Sequence, residues 1–521
     1  MCHRGFVFRL LGLLGGLSVS LDMGVGAPLE ESLRRALVAA RLARRLGCSD
    51  EDISAVIYAS LLQHLGCTAA SHELAQVYGD DVAAIRWSFL ADPADLRSVW
   101  GAFAPGLAAA TGRPRMRVMA SALTGGRRIE AMAPRATCEV ARDASRRLGL
   151  PEQVQDALYH ATARWDGGGF PPVRGADIPL TTRLMHVASV SVLFHLHAGP
   201  AAARAELLRR SDAELDPSLV GAVSSDVLVG IEEADAYAEV LDAEPAPGRL
   251  IDAGSIAGVA RTFGDVVDLK SPWLQGHSAG VAGLAGAAGK TLDLEGDVLT
   301  LAGHLHDVGR VGIPSRTWDK PGRLSMTERS QVELHAYHSE QVLSRVPELG
   351  SVAALVGRHH ERLDGSGYHR GLRGAQLSMP ARVLAAADRY RTLLEARPHR
   401  AALSVEAAGR ALREDARSGR LDGDAVAAVL VVSGRPARMR RVRPAGLTER
   451  QLEVLRLVAA GKSNADIARQ LVISSRTAEH HVQAVYLKIG STSRAAAALF
   501  AMEHGLLGPP VSDGDPAAED G

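Results

Sequence analysis

An adjacent pair, His306-Asp307, ends an apolar stretch and runs into Gly309 within the string AGHLHDVGRVGIPSRTWDKPGRL. Imidazole and carboxylate together suit divalent iron, manganese or zinc, and one carboxylate can bridge two ions. Alone the pair means little. It gains weight because more ligand types follow in order: His277 opens GHSAGVAGL, His335 sits in ELHAYHSEQVL, His359-His360 form a second pair, and Asp388 ends RVLAAAD. Two cations held close together polarise a phosphodiester and make an intervening water ionise near neutral pH. Arg310, three residues past the pair, can aim a guanidinium at a phosphate. Lys320 in the DKPG turn adds a second positive charge, and Tyr368 can stack on a base. The chemistry these residues point to is metal-assisted hydrolysis of a phosphate ester, with His306 and Asp307 as its catalytic centre. His304 and His338 lie nearby and are expected to be ordinary structural histidines.

The strings HDVGRVGIP, DKPGRL, RHHERLDGSGYHRGL and ARVLAAAD, spread over roughly residues 263–432, resemble the HD superfamily of metal-dependent phosphohydrolases, in particular its HD-GYP branch. The resemblance implies an all-helical domain with two divalent transition-metal ions, iron or manganese foremost. Their ligands would be His277, His306, Asp307, His335, His359, His360 and Asp388, with Asp307 bridging. The activity implied is hydrolysis of cyclic di-GMP or a related phosphorylated nucleotide. Several positions depart from the family pattern. Arg310 replaces a usual lysine, His369 a usual proline and Arg391 a usual acidic residue. Trp273 stands where some members place a carboxylate for a third metal. These departures bear on the substrate more than on the metals. They leave two readings open: a working phosphodiesterase, or a sensor whose pocket binds metal or nucleotide without turnover.

A second source of function lies at the other end. LTERQLEVLRLVAAGKSNADIARQLVISSRTAEHHVQAVYLKIGSTSRAAA carries four short helix signals: Thr448 as an N-cap, Gly461 as a stop, Ser474 as another cap and Gly490 as another stop. This segment resembles the LuxR-type four-helix helix-turn-helix. The resemblance implies that Ser475 to Lys488 enters the major groove of double-stranded DNA. Arg476, Thr477, His480, His481 and Gln483 would contact phosphate or bases, and Lys488 phosphate. A homodimer is expected, with the last helix from Ser493 or the upstream helical modules as its contact.

The elements that hold these groups follow from composition and periodicity. The chain has 521 residues, 46% of them hydrophobic but only 4% aromatic. Alanine, leucine, valine and arginine dominate and period-two alternation is scarce, so the expected fold is all-α, with almost no sheet. Positive and negative side chains balance at 59 each, so total charge does not point to nucleic acid; only its distribution can. Cys2, Cys48, Cys67 and Cys138 lack CxxC spacing and read as reduced thiols. The apolar run Leu10 to Leu21 is too short and glycine-rich to span a membrane, and reads as a core helix rather than a signal peptide. A cytoplasmic protein with no membrane partner is expected.

Linker-like stretches, Asp242 to Gly248 and the arginine-rich Ser433 to Gly446, suggest domains at 1–243, 249–432 and 447–507, a basic linker at 433–446, and a disordered acidic tail at 508–521. The first two domains read as tandem HD-like modules. RWDGGGFPPVRGADIPLTTRLMHVAS in the first parallels RLDGSGYHRGLRGAQLSMPARVLAAAD in the second, and LQHLG parallels LHDVG. The first copy has lost the ligand types. Arg35 is expected at the place of His277, Gln63-His64 at His306-Asp307, Pro134 near His335, Ala161-Thr162 at His359-His360 and Ser189 at Asp388. His160 and His186 are expected to be structural. The first copy should hold no metal and act as a scaffold, sensor or dimer contact.

Overall fold

The computed structural model describes residues 8–92, 95–233, 235–434 and 444–507. Most of the expected basic linker, the acidic tail and Cys2 lie outside them. Among the described residues the fold is all-α, as the composition predicts. Its one regular β-pairing joins Phe8–Arg9 antiparallel to Leu250–Ile251, just ahead of the first helix of each copy.

The two copies repeat one helical plan. Leu10–Gly24, Glu31–Arg45, Asp50–Leu61, Arg127–Arg147, Glu152–Tyr159 and Leu180–Ala198 correspond to Ala253–Asp268, His277–Thr291, Gly296–Leu305, His335–Leu343, Gly350–Val356 and Met379–Leu394. Matching contacts fix the register. Ser32 donates its backbone N–H to Asp22, as Ser278 does to Asp268. Arg183 pairs with Asp216 at 2.7 Å, as Arg382 pairs with Asp422 at 2.9 Å. A methyl on Gly66 would lie 2.0 Å from the Thr137 carbonyl, and one on Gly309 2.4 Å from that of His335.

This register corrects two sequence expectations. Glu31, not Arg35, holds the place of His277, and Thr137, not Pro134, that of His335. Both errors arose where no shared motif anchored the alignment.

The first helix of each copy packs on its own copy and also reaches the other. Leu10–Gly24 is buried along nearly its whole length and packs against Val308–Gly312 and His335–Leu343 of the second copy. Gly16 is needed there because a Cβ would fall 2.2 Å from Val346. In return Ala253–Asp268 packs on Cys67–Ala70 and Arg127–Arg147 of the first. Thr68 donates to the Val266 carbonyl at 2.8 Å, and Arg147 pairs with buried Asp265 at 2.5 Å. Lys270 and Asp81 form a fully buried ion pair at 2.7 Å, and Asp81 also accepts from the Ser315 backbone. One apolar core runs through both copies. Burial this extensive makes the first copy a structural half of the second. No helix of the described residues is long and apolar enough to cross a membrane.

The C-terminal helices are Glu449–Ala459, Asn464–Gln470, Ser475–Ile489 and Arg494–Glu503. Capping boxes at Thr448 and Ser463 start the first two, and Ser474 accepts from the Thr477 amide to start the third. Their core also takes in Val140 and Leu269, one residue from each upstream copy. The last helix is the docking element. Arg261 donates to the carbonyls of Met502 and Glu503 at 2.9 and 2.7 Å, and the Arg494–Glu503 helix packs on Arg127–Arg147. The face expected to supply a dimer contact is therefore covered by the tandem copies.

Candidate metal centre and nucleic-acid interface

Small residues bring the two helices that carry the first ligands together. His277–Thr291 is rich in glycine and alanine, and a Cβ on Gly303 would lie 2.4 Å from the Ala282 Cα, so the backbones nearly touch. His277 at the start of one helix then faces His306 and Asp307 at the end of the other. The remaining groups arrive from His335–Leu343, the turn after Gly350–Val356, and Met379–Leu394.

The expected ligand set converges and divides in two. The ligand atoms of His277, His306 and Asp388 lie within 4.8 Å of one another, and so do those of His335, His359 and His360. Asp307 stands between the groups. Its Oδ2 is 2.9 Å from His306 Nε2 and 3.5 Å from His277 Nε2. Its Oδ1 is 3.1 Å from His335 Nε2 and 3.7 Å from His359 Nε2. All of these but His360 are essentially buried.

The unused atoms point to a cation. Nε2 of His277 and His306 is buried without a hydrogen bond, and so are both Asp307 oxygens, although Arg310 lies 2.5 Å from Oδ2; buried polar atoms in this state are costly and are commonly completed by an ion. The opposite ring nitrogens are taken. Nδ1 of His306 and His359 donates to the carbonyls of Gly303 and Val356 at 2.8 and 2.6 Å, and Nδ1 of His335 to that of Val332. The tautomer with a bare inward Nε2 is thereby set, as metal ligation requires. Burial and the neighbouring imidazoles hold His359 far below the usual histidine range, and burial takes His360 down to about 3, so both are neutral ligands at physiological pH. Burial alone would raise the Asp307 carboxyl, but Arg310 and His306 outweigh it and keep Asp307 ionised.

Above the centre opens a cavity of about 630 Å³, the size of a nucleotide site. Arg310 lies at its floor, with Nη2 2.5 Å from Asp307 and the guanidinium 4.6 Å over the Trp318 ring. Its Nε and Nη1 are buried and unpartnered, leaving donors for an anion. Lys320 lines the wall and is paired with Glu328 at 2.5 Å. Tyr368 also lines it, with its ring 4.4 Å from that of His360. Sequence reasoning missed Arg397 and Arg400, which line the same cavity, and Glu395, which accepts from His277 Nδ1 at 2.9 Å. The string RPHR after Asp388 was a visible signal for the arginines; nothing in the spacing marks Glu395.

Among the described residues, the groups of three or more potential ligands all lie in the second copy. In the first copy Arg35, one turn on from Glu31, is buried, donating to Gln63 at 2.9 Å and lying 3.9 Å from Glu31. His186 is tied to the Ala161 carbonyl at 3.0 Å, and His160 to that of Asp156 at 2.8 Å, consistent with structural roles. Cys48, Cys67 and Cys138 are free thiols.

At the C-terminus, Arg476, Thr477, His480 and Gln483 are exposed on one side of Ser475–Ile489, with Leu487 continuing the stripe, and His481 is half-buried. Lys488 donates to the Gly446 carbonyl at 2.7 Å and to Gln451 Oε1 at 2.9 Å. A phosphate would have to displace these bonds. The exposed stripe does not belong to the docking contact, which is made by the helix after it.

Fold and site together define a helical domain whose gathered histidines and aspartates could hold metal, joined to a helix-turn-helix. Comparison with known proteins gives the same two classes. Residues 261–425 match the HD domain family, and residues 445–501 match the bacterial regulatory proteins of the luxR family. The chain thus carries an HD domain followed by a LuxR-type domain. Among curated proteins it is 29% identical over 412 residues to 3'3'-cGAMP-specific phosphodiesterase 3 of Vibrio cholerae, covering 77% of this chain and 90% of that one. It is 38% identical over 170 residues to 3'3'-cGAMP-specific phosphodiesterase 1 of the same organism, covering 32% of this chain and 39% of the relative. A crystal structure of a cyclic GMP-AMP-specific phosphodiesterase of V. cholerae (V-cGAP3) superimposes with a TM-score of 0.57 at 24% identity, covering 83% of this chain and 99% of that one. That likeness concerns the fold.

Proposed function

We propose that this chain is a cytoplasmic transcription regulator whose HD domain hydrolyses a cyclic dinucleotide, 3'3'-cGAMP or cyclic di-GMP, and whose LuxR-type domain binds DNA. The observation that carries the reading is the division of the ligand set by the two oxygens of Asp307. His277, His306 and Asp388 would hold one divalent ion, and His335, His359 and His360 the other, with iron or manganese the best match to mixed imidazole and carboxylate ligands. When bound, such a pair supplies Lewis acidity and an ionised water. The chain's own residues do the rest. Arg310 presents two free donors to the scissile phosphate, while its third nitrogen orients Asp307. Arg397 and Arg400 bring further positive charge to the cavity, and Tyr368 offers a face to a base. The names of the curated relatives support the substrate class.

The site also touches the DNA-reading end. Ser271, Trp273 and Leu274 line the cavity. In the same short segment Pro272 packs on Gly461, and Gly276 on Leu507, of the LuxR-type domain. Pocket occupancy can therefore bias where that domain sits. This contact also favours the second reading, a sensor that binds without turnover. Turnover decides between them. The full chain, purified anaerobically and supplied with 3'3'-cGAMP or cyclic di-GMP, is expected to release linear dinucleotide or mononucleotide. Asp307→Ala is expected to abolish release while operator binding persists. Tight binding with no product would establish the sensor reading, and Asp307→Ala activity within tenfold of wild type would show that the reaction does not use this centre.

A further inference from the structure

Three of the inward-facing histidines are oriented in the same way. His306, His335 and His359 each pass their Nδ1 proton to the carbonyl three residues earlier, on Gly303, Val332 and Val356. His277 cannot do this. It is the first residue of its helix, Gly276 before it is left-handed at φ 76°, and the Leu274 carbonyl is already engaged by the His277 backbone N–H at 2.9 Å. Its Nδ1 instead meets the Glu395 carboxylate at 2.9 Å.

That carboxylate is held from both sides. Arg391 donates to Oε1 at 2.6 Å and Arg397 to Oε2 at 2.8 Å. The Glu395 side chain is 12% exposed and His277 fully buried. Room for the arrangement is left by Gly280, where a Cβ would fall 2.4 Å from Arg391 Nε. Arg397 also donates to the Trp273 carbonyl at 2.8 Å, fixing the turn that leads into His277.

We propose that Glu395, clamped by Arg391 and Arg397, is the positioning residue that sets the tautomer and aim of His277. The inference rests on the metal-centre reading above. A carboxylate partner makes a ligating imidazole more basic than a carbonyl does, and losing such a partner typically costs about 10- to 100-fold in metal affinity. Because Glu395 touches only His277 among the ligand set, the effect belongs to the ion held by His277, His306 and Asp388 and not to the other.

The test is competitive chelator titration with Mn²⁺ on full-length wild type, Glu395→Ala and Glu395→Gln, with the melting temperature of each metal-free protein measured alongside. The expected result is two ions on wild type, and one of them bound about 10- to 100-fold more weakly in Glu395→Ala. Glu395→Gln, which keeps an acceptor for Nδ1 but not the charge, is expected to fall between, and the metal-free proteins to melt alike. The proposal is overturned if Glu395→Ala binds both ions as tightly as wild type, or if it loses both equally together with a fall in metal-free melting temperature. Wild type that binds two ions while the variant is unaffected leaves the metal centre standing and removes only Glu395; wild type that binds none removes both.

Discussion

Arg310 shows how much one side chain is asked to do. It is nearly buried, stacks on Trp318, orients Asp307 through one nitrogen and keeps two nitrogens free. A lysine could supply the charge but only one compact donor, without the planar fork that spans a carboxylate and a phosphate. Arg310→Ala is expected to lower kcat/KM about a hundredfold, the usual scale for removing a donor aimed at developing charge, while both ions stay bound. Arg310→Lys should recover part of the loss. Steady-state kinetics with elemental analysis of each variant checks this, and Arg310→Ala activity within threefold of wild type would show that the free donors face no substrate. The ligand residues were legible because seven donors in a fixed order are hard to scatter by chance. Glu395 was not. A carboxylate among arginines reads as an ordinary ion pair, and only the missing carbonyl beneath His277 gives Glu395 its place.

At the scale of elements, close approach decides the geometry. Gly66 and Gly309 occur in LQHLG and LHDVG for the same reason: a later helix, Arg127–Arg147 or His335–Leu343, crosses so closely that a Cβ would fall 2.0 or 2.4 Å from the Thr137 or His335 carbonyl. Gly309→Ala is expected to shift His335–Leu343 outward and lower both the melting temperature and Mn²⁺ affinity, which calorimetry and chelator titration would detect; unchanged values for both would show the helix can yield without moving His335. The extent of Ser475–Ile489 was legible from Ser474 and Gly490, whose capping chemistry is local. Lys488, expected to contact phosphate, has its ammonium engaged by Gly446 and Gln451. In a salt titration of DNA binding, Arg476→Ala is expected to reduce the slope by about one, the signature of one lost phosphate contact, while Lys488→Ala changes it little. The reverse pattern would place the phosphate contact at the far end of the helix.

For the whole molecule, the sequence showed a tandem repeat but not its interlocking. Asp242 to Gly248 reads as a boundary, yet the first helix of each copy also packs on the other and one core serves both. Such bridging leaves no mark in periodicity, because a helix face buried against a neighbouring copy has the same apolar pattern as one buried against its own. The fully buried Lys270–Asp81 pair joins the copies in a way no local motif announces. The same assembly covers the last helix of the LuxR-type domain, so a dimer expected through that helix requires either release of the domain or a contact on the tandem copies. All of this surrounds one claim, that the second copy holds two metal ions bridged by Asp307. The direct measurement is the ratio of transition metal to protein in the full chain purified anaerobically, beside Asp307→Ala treated identically. The account gives two ions per chain for wild type and fewer than one for the variant. A wild-type ratio near zero, or a variant that keeps both ions, would contradict it.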